Sequence, residues 1–197
     1  MPLTPDMLLS GYIQGVFPMA GDDGMVRWYQ PEPRAIIPID SFHTPRRLAR
    51  TVRRGLFEIR ADTAFREVML ACAEPAPDRP TTWIGPDFVE AYGALQRLGF
   101  AHSVEAWRDG RLVGGLYGVS IGGLFAGESM FSRERDASKV CLVHLVDRLR
   151  RGGYVLLDTQ FIVGQHMLQF GTIEIPNREY LRRLAIALRV DAHWPEE

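Results

Sequence analysis

Hydrophobic and polar positions alternate along the chain in two periods, which separate helical segments from extended ones. Apolar residues recur at helical spacing between capping residues, prolines and glycines. These patterns predict six helices, at about 5–14, 45–54, 64–72, 87–98, 137–151 and 177–188. Short runs with extended periodicity predict strands at 26–29, 35–37, 56–60, 102–107, 112–119, 124–131 and 154–157.

Caps and turns mark the limits of these elements. Thr4, Thr44-Pro45 and Asn177 are expected to begin helices. Asp109-Gly110 and Gly122-Gly123 separate three strand patterns, which predicts an antiparallel meander with tight turns.

The order of the elements predicts the fold class. The run 154–157 is short, apolar and continuous, which is typical of a strand buried on both faces. Helices, a meander, a long helix, this strand and a last helix predict an α+β domain with a mixed sheet and flanking helices. Prolines and glycines punctuate residues 17–38, so we expect a small N-terminal subdomain at 1–36 and a main domain at 37–197.

Composition places the chain among globular proteins, with 46% hydrophobic and 24% charged residues. Cys72 and Cys141 stand apart, which indicates a reducing compartment. No signal peptide or membrane span is apparent, so we expect a cytoplasmic protein.

A net charge of −1 argues against a nucleic acid partner, yet every basic residue except Lys139 is Arg. Codon bias is the main explanation, and phosphate binding by some arginines is the alternative.

Glu128 is the most unusual polar residue in the strand patterns. Strand alternation predicts that Leu124, Ala126, Glu128 and Met130 share one face. A carboxylate among apolar side chains is costly to bury without a cation or donors. Glu128 therefore either forms an internal salt bridge with an arginine or faces a ligand that carries an amine.

Three further groups are candidates for chemistry. Asp158 and Gln160 follow the predicted buried strand, where ligands often bind. Trp28 and Trp83 lie in loop-rich segments, where aromatic side chains either pack in the core or stack on a base. Four arginines share one side of the second predicted helix, as a solvated face or a phosphate-binding strip: Arg46, Arg50, Arg53 and Arg54.

Several common catalytic motifs are absent from the sequence. No GxxxxGK[ST], HExxH or GxSxG pattern occurs, which argues against a P-loop NTPase, a zincin and an α/β-hydrolase. The five histidines form no convincing metal pair, so we expect no metal.

Eight short motifs occur together in one order over nearly the whole chain. They are FPM at 17–19, PxPRA at 31–35, TWI at 82–84, AHSVE at 101–105, LVGGLYGV at 112–119, GESMFS at 127–132, ASK at 137–139 and DxQ at 158–160. This combination resembles the leucyl/phenylalanyl-tRNA–protein transferase family. The resemblance implies a bacterial enzyme that moves Leu or Phe from tRNA to an N-terminal Arg or Lys, marking the acceptor for N-end rule degradation. It also implies a GNAT-like acyltransferase fold in the main domain, used without acyl-CoA or another cofactor.

The resemblance also implies roles for individual residues. Gln160 would accept a hydrogen bond from the attacking amine, and Asp158 would polarise Gln160 or relay the proton. Glu128 would be the counter-charge of the substrate amine or cationic side chain. An apolar aminoacyl pocket would consist of Leu116, Phe125, Met130, Leu149 and Leu157.

Binding of the tRNA is implied at two places. Trp83, Trp28 and Ser129 would surround the terminal adenosine, and Arg46, Arg50, Arg53 and Arg54 would face acceptor-stem phosphates. The partners are then Leu- or Phe-tRNA and the N-termini of acceptor proteins, and we expect a monomer that does not associate with membranes.

The chain departs from the family pattern in two regions. It begins almost at the first recognisable helix, so we expect a shorter N-terminus than in typical members. Residues 161–171 differ, with Gly164-Gln165-His166 in place of an Asp-His pair, which leaves the acceptor preference open.

Two alternative functions remain open. One is an acyl-CoA-dependent N-acyltransferase of the GNAT superfamily, whose phosphate loop is missing before residue 137, and the other is a non-catalytic tRNA- or peptide-binding relative.

Overall fold

A computed structural model of the chain describes residues 3–21, 23–75, 81–162 and 164–196, with the backbone alone at 165 and 166. All six predicted helices are present. They are α1 Pro5–Ile13, α2 Arg46–Arg53, α3 Phe65–Ala73, α4 Pro86–Arg97, α5 Ala137–Arg151 and α6 Asn177–Ala187. A 3₁₀ segment at Gln165–Phe170 lies in the divergent region, where the side chains of 165 and 166 and all of 163 fall outside the described residues.

Nine strands are found in the described residues. They are β1 Phe17–Ala20, β2 Val26–Tyr29, β3 Arg34–Ile37, β4 Glu58–Ala61, β5 Ala101–Arg108, β6 Arg111–Ile121, β7 Leu124–Ser132, β8 Leu156–Gln160 and β9 Ile173–Ile175. The seven predicted strands are present, β2 at the predicted residues and the other six with shifted ends. The short strands β1 and β9 were not predicted from the sequence.

Seven of these strands form one mixed sheet in the order β4-β5-β6-β7-β8-β3-β9. Strands β4 to β7 are antiparallel neighbours, β7 and β8 run parallel, and β3 is antiparallel to both β8 and β9. Strands β1 and β2 make a separate hairpin. This architecture confirms the predicted α+β class with a mixed sheet and flanking helices.

The helices cover the sheet in two layers. Buried residues of α1, α3 and α4 make one core cluster, to which Leu8, Tyr12 and Phe17 contribute from the first 36 residues. Buried residues of α5 make a second cluster, into which α2 inserts Leu48. Helix α5 approaches β6 so closely that a Cβ at Gly114 would lie 2.5 Å from the Ala137 side chain. The division into two domains remains a prediction.

Local signals explain most of the boundaries. The Thr4 side chain caps α1 by accepting a hydrogen bond from the Met7 amide, and Pro5 occupies the first turn. Asp109 and Gly110 both have positive φ angles, of 50° and 69°, as the predicted tight turn between β5 and β6 requires.

Three predicted boundaries were wrong. Strand β8 begins at Leu156, because the Tyr154 amide donates to the Leu149 carbonyl in the turn that ends α5. Val155, expected in a strand buried on both faces, is 53% exposed. Helices α2 and α6 begin after Pro45 and Pro176, so Thr44 does not cap the first and Asn177 is already helical in the second.

No helix in the described part of the chain is long and apolar enough to cross a membrane.

Candidate active site

Strands β7 and β8 diverge in the middle of the sheet. They pair over only three positions, from Leu124 opposite Leu156 to Ala126 opposite Asp158. Beyond Ala126, β7 continues to Ser132 paired with β6 alone. Residues 127–130 are accordingly partly exposed, although they lie on a central strand. The end of the pairing leaves a gap between the two strands beyond Ala126, here called the cleft.

A β-bulge places Glu128 at the start of this cleft. Gly127 faces Gly118 on β6 and Ser129 faces Tyr117, so Glu128 is the extra residue. The bulge interrupts the alternation of faces, since Met130 packs against the α5 cluster whereas Ala126 belongs to the α1–α3–α4 cluster. The prediction that Met130 shares the face of Leu124 and Ala126 was therefore wrong.

Neutral donors surround the Glu128 carboxylate. The Gln160 amide nitrogen donates to Oε1 at 2.8 Å, and the Tyr92 hydroxyl donates to Oε2 at 3.3 Å. The hydroxyls of Tyr12 and Tyr92 are 2.5 Å apart. No salt bridge found within the described ranges includes Glu128, so the internal ion pair, one of the two expectations, is absent from this part of the chain.

The pKa of Glu128 is consequently high for a carboxylic acid. Burial, with a smaller contribution from the nearby charge of Asp158, raises the pKa from 4.5 to about 7. Hydrogen bonds from Tyr12, Gln160 and Tyr92 act in the opposite direction. Burial and the charge of Glu128 also raise the pKa values of Tyr12 and Tyr92, which keeps both phenols neutral.

Asp158 has the opposite environment. Its side chain is fully buried and forms a bidentate ion pair with Arg34, at 2.9 Å from Nε to Oδ1 and 2.6 Å from Nη2 to Oδ2. The Tyr180 hydroxyl donates to Oδ2 at 2.8 Å, and the Gln160 backbone amide donates to Oδ1 at 2.8 Å. Both oxygens of this carboxylate are therefore engaged by donors of the protein.

Arg34 was missed as a candidate, although it lies in one of the quoted motifs. It is 0% exposed, and its guanidinium stacks on the rings of Phe17 and Tyr180 at 4.9 and 4.3 Å. It also donates to the Gly15 carbonyl at 3.1 Å. Burial alone would lower the pKa of Arg34, but the hydrogen bond and charge of Asp158 raise it. The signal that could have separated it from the other 21 arginines is the PxPRA motif at 31–35, the one quoted motif that contains an arginine.

Gln160 connects the two carboxylates. Its φ angle is +65°, a left-handed conformation that is uncommon for residues other than glycine. A register shift at Thr159, between the pairs of Ile36 with Asp158 and Ala35 with Gln160, accompanies this conformation. Gln160 contacts Asp158 through its backbone amide and Glu128 through its side chain. The structure thus brings together the three residues predicted to be catalytic.

The five residues of the predicted aminoacyl pocket also lie together. Leu116, Phe125, Leu149 and Leu157 are buried in the α5 cluster, and Met130 packs against it. Only Met130 is partly exposed, on the β7 segment beside the cleft.

The residues predicted to contact the terminal adenosine lie on separate elements. Trp83 precedes α4 and packs edge-on against Phe88 at 5.4 Å between ring centroids. Trp28 is on β2, 37% exposed, and so close to Gly11 that a Cβ there would clash with its ring. Ser129 is partly exposed on β7 beside Glu128.

The arginine strip is fully accessible. Arg46, Arg50, Arg53 and Arg54 are all exposed along and just beyond α2, and none forms a salt bridge with a described residue. The strip therefore carries uncompensated positive charge next to the α5 layer.

Comparison with known proteins agrees with these observations. The family model for leucyl/phenylalanyl-tRNA protein transferase matches residues 36–185, and the model for its N-terminal domain matches residues 1–32. A leucyl/phenylalanyl-tRNA–protein transferase from Herpetosiphon aurantiacus is 58% identical over 96% of this chain and 97% of that protein. The protein of that name from Paramagnetospirillum magneticum is 55% identical over 95% and 90%.

Similarity to solved structures is weaker. A ribosomal-protein-alanine N-acetyltransferase from Brucella melitensis aligns with a TM-score of 0.40 and 18% identity, over 71% of this chain and 96% of that one. The match to the family model, in contrast, extends over the motifs that carry Glu128, Asp158 and Gln160. The chain therefore belongs to the leucyl/phenylalanyl-tRNA–protein transferase family, and it is an aminoacyltransferase.

Proposed function

We propose that the protein transfers Leu or Phe from aminoacyl-tRNA to the N-terminal Arg or Lys of acceptor proteins, which marks them for N-end rule degradation. The observation that carries this proposal is the Glu128–Gln160 pair at the opening between β7 and β8. An aminoacyl ester is already activated, so catalysis requires alignment of two reactants and removal of one proton. The Glu128–Gln160 pair supplies both functions.

The pair fixes the orientation of the Gln160 amide. An ionised carboxylate can only accept hydrogen bonds, so Glu128 requires the NH₂ group of Gln160 on its side. The amide oxygen then faces away from Glu128 and is positioned to accept a hydrogen bond from the α-amine of the acceptor. The amine is aligned with its lone pair free for attack on the ester carbonyl.

Glu128 is the proposed proton acceptor. Its pKa of about 7 lies near that of an α-ammonium group, about 7.7–8.0, so Glu128 can take the proton that frees the lone pair of the amine at little cost in free energy. The amide of Gln160 is a far weaker base. As the C–N bond forms and the ester C–O bond breaks, the amine loses one proton and the ribose oxygen gains one.

Asp158 then acts as a positioning residue rather than as a relay. Its oxygens contact Arg34, Tyr180 and the backbone amide of Gln160, not the Gln160 side chain. The Asp158 carboxylate holds Gln160 in its left-handed conformation, which directs the amide towards Glu128. This proposal revises the role first expected of Asp158.

Donor binding is proposed from the remaining groups. The apolar side chain of Leu or Phe would enter next to Met130 and displace side chains of the α5 cluster, among them Leu116, Phe125, Leu149 and Leu157. Trp83, with Trp28 and Ser129, would contact the adenosine, and the arginine strip would bind acceptor-stem phosphates.

An assay with purified protein tests the proposal. Labelled Leu-tRNA or Phe-tRNA is incubated with a peptide that begins with Arg, and with matched peptides that begin with Lys, Asp or N-acetyl-Arg. We expect label in the Arg and Lys peptides and none in the acetylated one. Transfer from an acyl-CoA instead of tRNA would support an N-acyltransferase, and tRNA binding without transfer would support a non-catalytic relative.

A further inference from the structure

A cavity of about 490 Å³ lies outside the proposed active site, between the start of α2, the end of β7 and the start of α5. Four cationic side chains line it, and only two anionic ones do, Glu134 and Asp136. The cations are Arg47, Arg133, Arg135 and Lys139, the last being the single lysine of the chain. The cavity therefore has a positive charge in excess.

Ion pairs compensate this charge only in part, although Arg133 is paired with Glu74, outside the cavity, at 2.7 Å. Glu134 pairs with Arg108, outside the cavity, at 2.8 Å. Asp136 is shared between Lys139 at 3.3 Å and Arg135 at 4.0 Å. Arg47 forms no ion pair with any residue the structure describes.

The side chains, rather than the helix end, supply the attraction for an anion. The first amides of α5 already have partners, since Ala137 donates to the Glu134 carbonyl and Ser138 to the Ser132 hydroxyl. Lys139 extends from the first turn of α5 towards the cavity, and Arg47 does so from α2.

The kind of anion can be inferred from where the cavity lies relative to the proposed active site and the arginine strip. Ser132, which lines the cavity, is four residues beyond Glu128 on β7, roughly 13 Å at the rise of a strand. Arg47 and Leu48, which also line the cavity, belong to the helix that carries the arginine strip. The cavity therefore borders both the strand that carries Glu128 and the helix proposed to bind the duplex stem.

We propose that this cavity binds phosphodiester groups of the unpaired 3′ end of the tRNA, with Lys139 and Arg47 as the contacting cations. The inference rests on the proposed function. It assigns a separate task to each basic region, since the strip holds the duplex and the cavity holds the single strand that reaches the active site. Lys139 contributes an ammonium group and Arg47 a guanidinium group, and both can contact phosphate oxygens.

Two donor substrates test the assignment, full-length Leu-tRNA and a short unpaired RNA that ends in the same leucyl ester. Lys139→Gln or Arg47→Gln should lower kcat/KM about fourfold at 0.15 M salt with either donor, and each should flatten the log–log salt dependence by about 0.7. Arg50→Gln, in the strip, should act on full-length tRNA alone. Lys139→Arg should recover most of the loss, because it keeps the charge.

Arg151→Gln is the matched control, since Arg151 is an exposed arginine at the far end of α5. It should leave both donors unaffected. The cavity assignment is wrong if the wild type transfers from both donors while Lys139→Gln and Arg47→Gln leave the short donor unchanged. Failure of the wild type to transfer from tRNA would instead overturn the proposed function, so the two results are distinct. Circular dichroism of each variant excludes loss of folding as the cause.

Discussion

The carboxylates of Asp158 and Glu128 lie on the two strands that diverge, yet their surroundings differ completely. Asp158 has a buried cation and no freedom to accept anything else. Glu128 has only neutral donors and a pKa of about 7. Gln160 contacts one through its backbone and the other through its side chain. The site thus combines two kinds of carboxylate. Asp158 is held by a buried cation and positions Gln160, whereas Glu128 can gain or lose a proton near pH 7.

The largest effect is expected when the charge of Asp158 is removed. Asp158→Asn leaves the Arg34 guanidinium buried without a counter-ion, which we expect to lower the free energy of unfolding by about 3–5 kcal/mol. Transfer activity should be lost as well, since Gln160 loses its support. Urea denaturation measures the first effect and the labelled-peptide assay the second.

A double variant then separates stability from positioning. Arg34→Met with Asp158→Leu replaces the ion pair by apolar groups of similar size, which often restores stability. We expect recovery of stability without recovery of transfer. If the double variant were active, Asp158 would have no positioning role.

The second-largest effect is expected when the charge of Glu128 is removed. Glu128→Gln should reduce transfer about 100-fold, because a neutral amide neither accepts the proton nor fixes the orientation of Gln160. The ionisation near pH 7 should also disappear from the pH–rate profile, leaving that of the acceptor amine. Glu90→Gln, an exposed glutamate on α4, serves as the control. A profile unchanged in shape would contradict the role of Glu128 as base.

Glu128→Gln should also change the pH dependence of the free energy of unfolding. Since the pKa of Glu128 is 4.5 when unfolded and about 7 when folded, the folded state binds more protons between these values. The free energy of unfolding should therefore fall as pH rises from 4.5 to 7, by up to about 3 kcal/mol. Glu128→Gln should remove this part of the pH dependence, as denaturation at pH 5 and pH 8 will show.

A smaller effect is expected from Tyr92→Phe, which should alter the pKa of Glu128 and leave its carboxylate in place. Tyr92→Phe deletes a hydrogen bond to the carboxylate and should raise the pKa of Glu128 by up to about one unit. The limb of the pH–rate profile should move to higher pH by that amount, with the maximum rate little changed. Tyr154→Phe removes a buried hydroxyl that bonds Ser120 instead, and it should leave the profile in place.

The smallest effect is expected from the strip, which touches neither carboxylate. Arg53→Gln should reduce the slope of log affinity for tRNA against log salt by about 0.9. The pH–rate profile should stay as in the wild type. A shifted profile would show that the strip and the carboxylates are electrostatically coupled.

Patterns within one element were predicted well from the sequence. The turn at Asp109-Gly110 and the whole of α5 follow from local preferences, and both were found at the predicted residues. Glu128 was selected because a carboxylate among apolar strand residues is unusual, and Asp158 and Gln160 because they follow a predicted buried strand. The family resemblance then grouped the three as catalytic.

Features set by pairing between distant segments were not predictable. The bulge at Glu128 depends on the register of β7 against β6, so strand alternation assigned Met130 to the wrong face. The ion pair of Arg34 joins β3 to β8 across 124 residues, and an arginine shows no sign in the sequence that it will be buried. Consequently Asp158 was expected to act on the Gln160 side chain, whereas it contacts the backbone.

The short pairing of β7 with β8 has a consequence for self-association. A strand with unpaired amides and carbonyls at the rim of a sheet invites other chains to add to it. Here the unpaired stretch after Ala126 belongs to a central strand, flanked on its open side by β8, β3 and β9. A sheet edge of another molecule therefore has no place to pair with it. This stretch of β7 does not carry the aggregation risk of an outer strand.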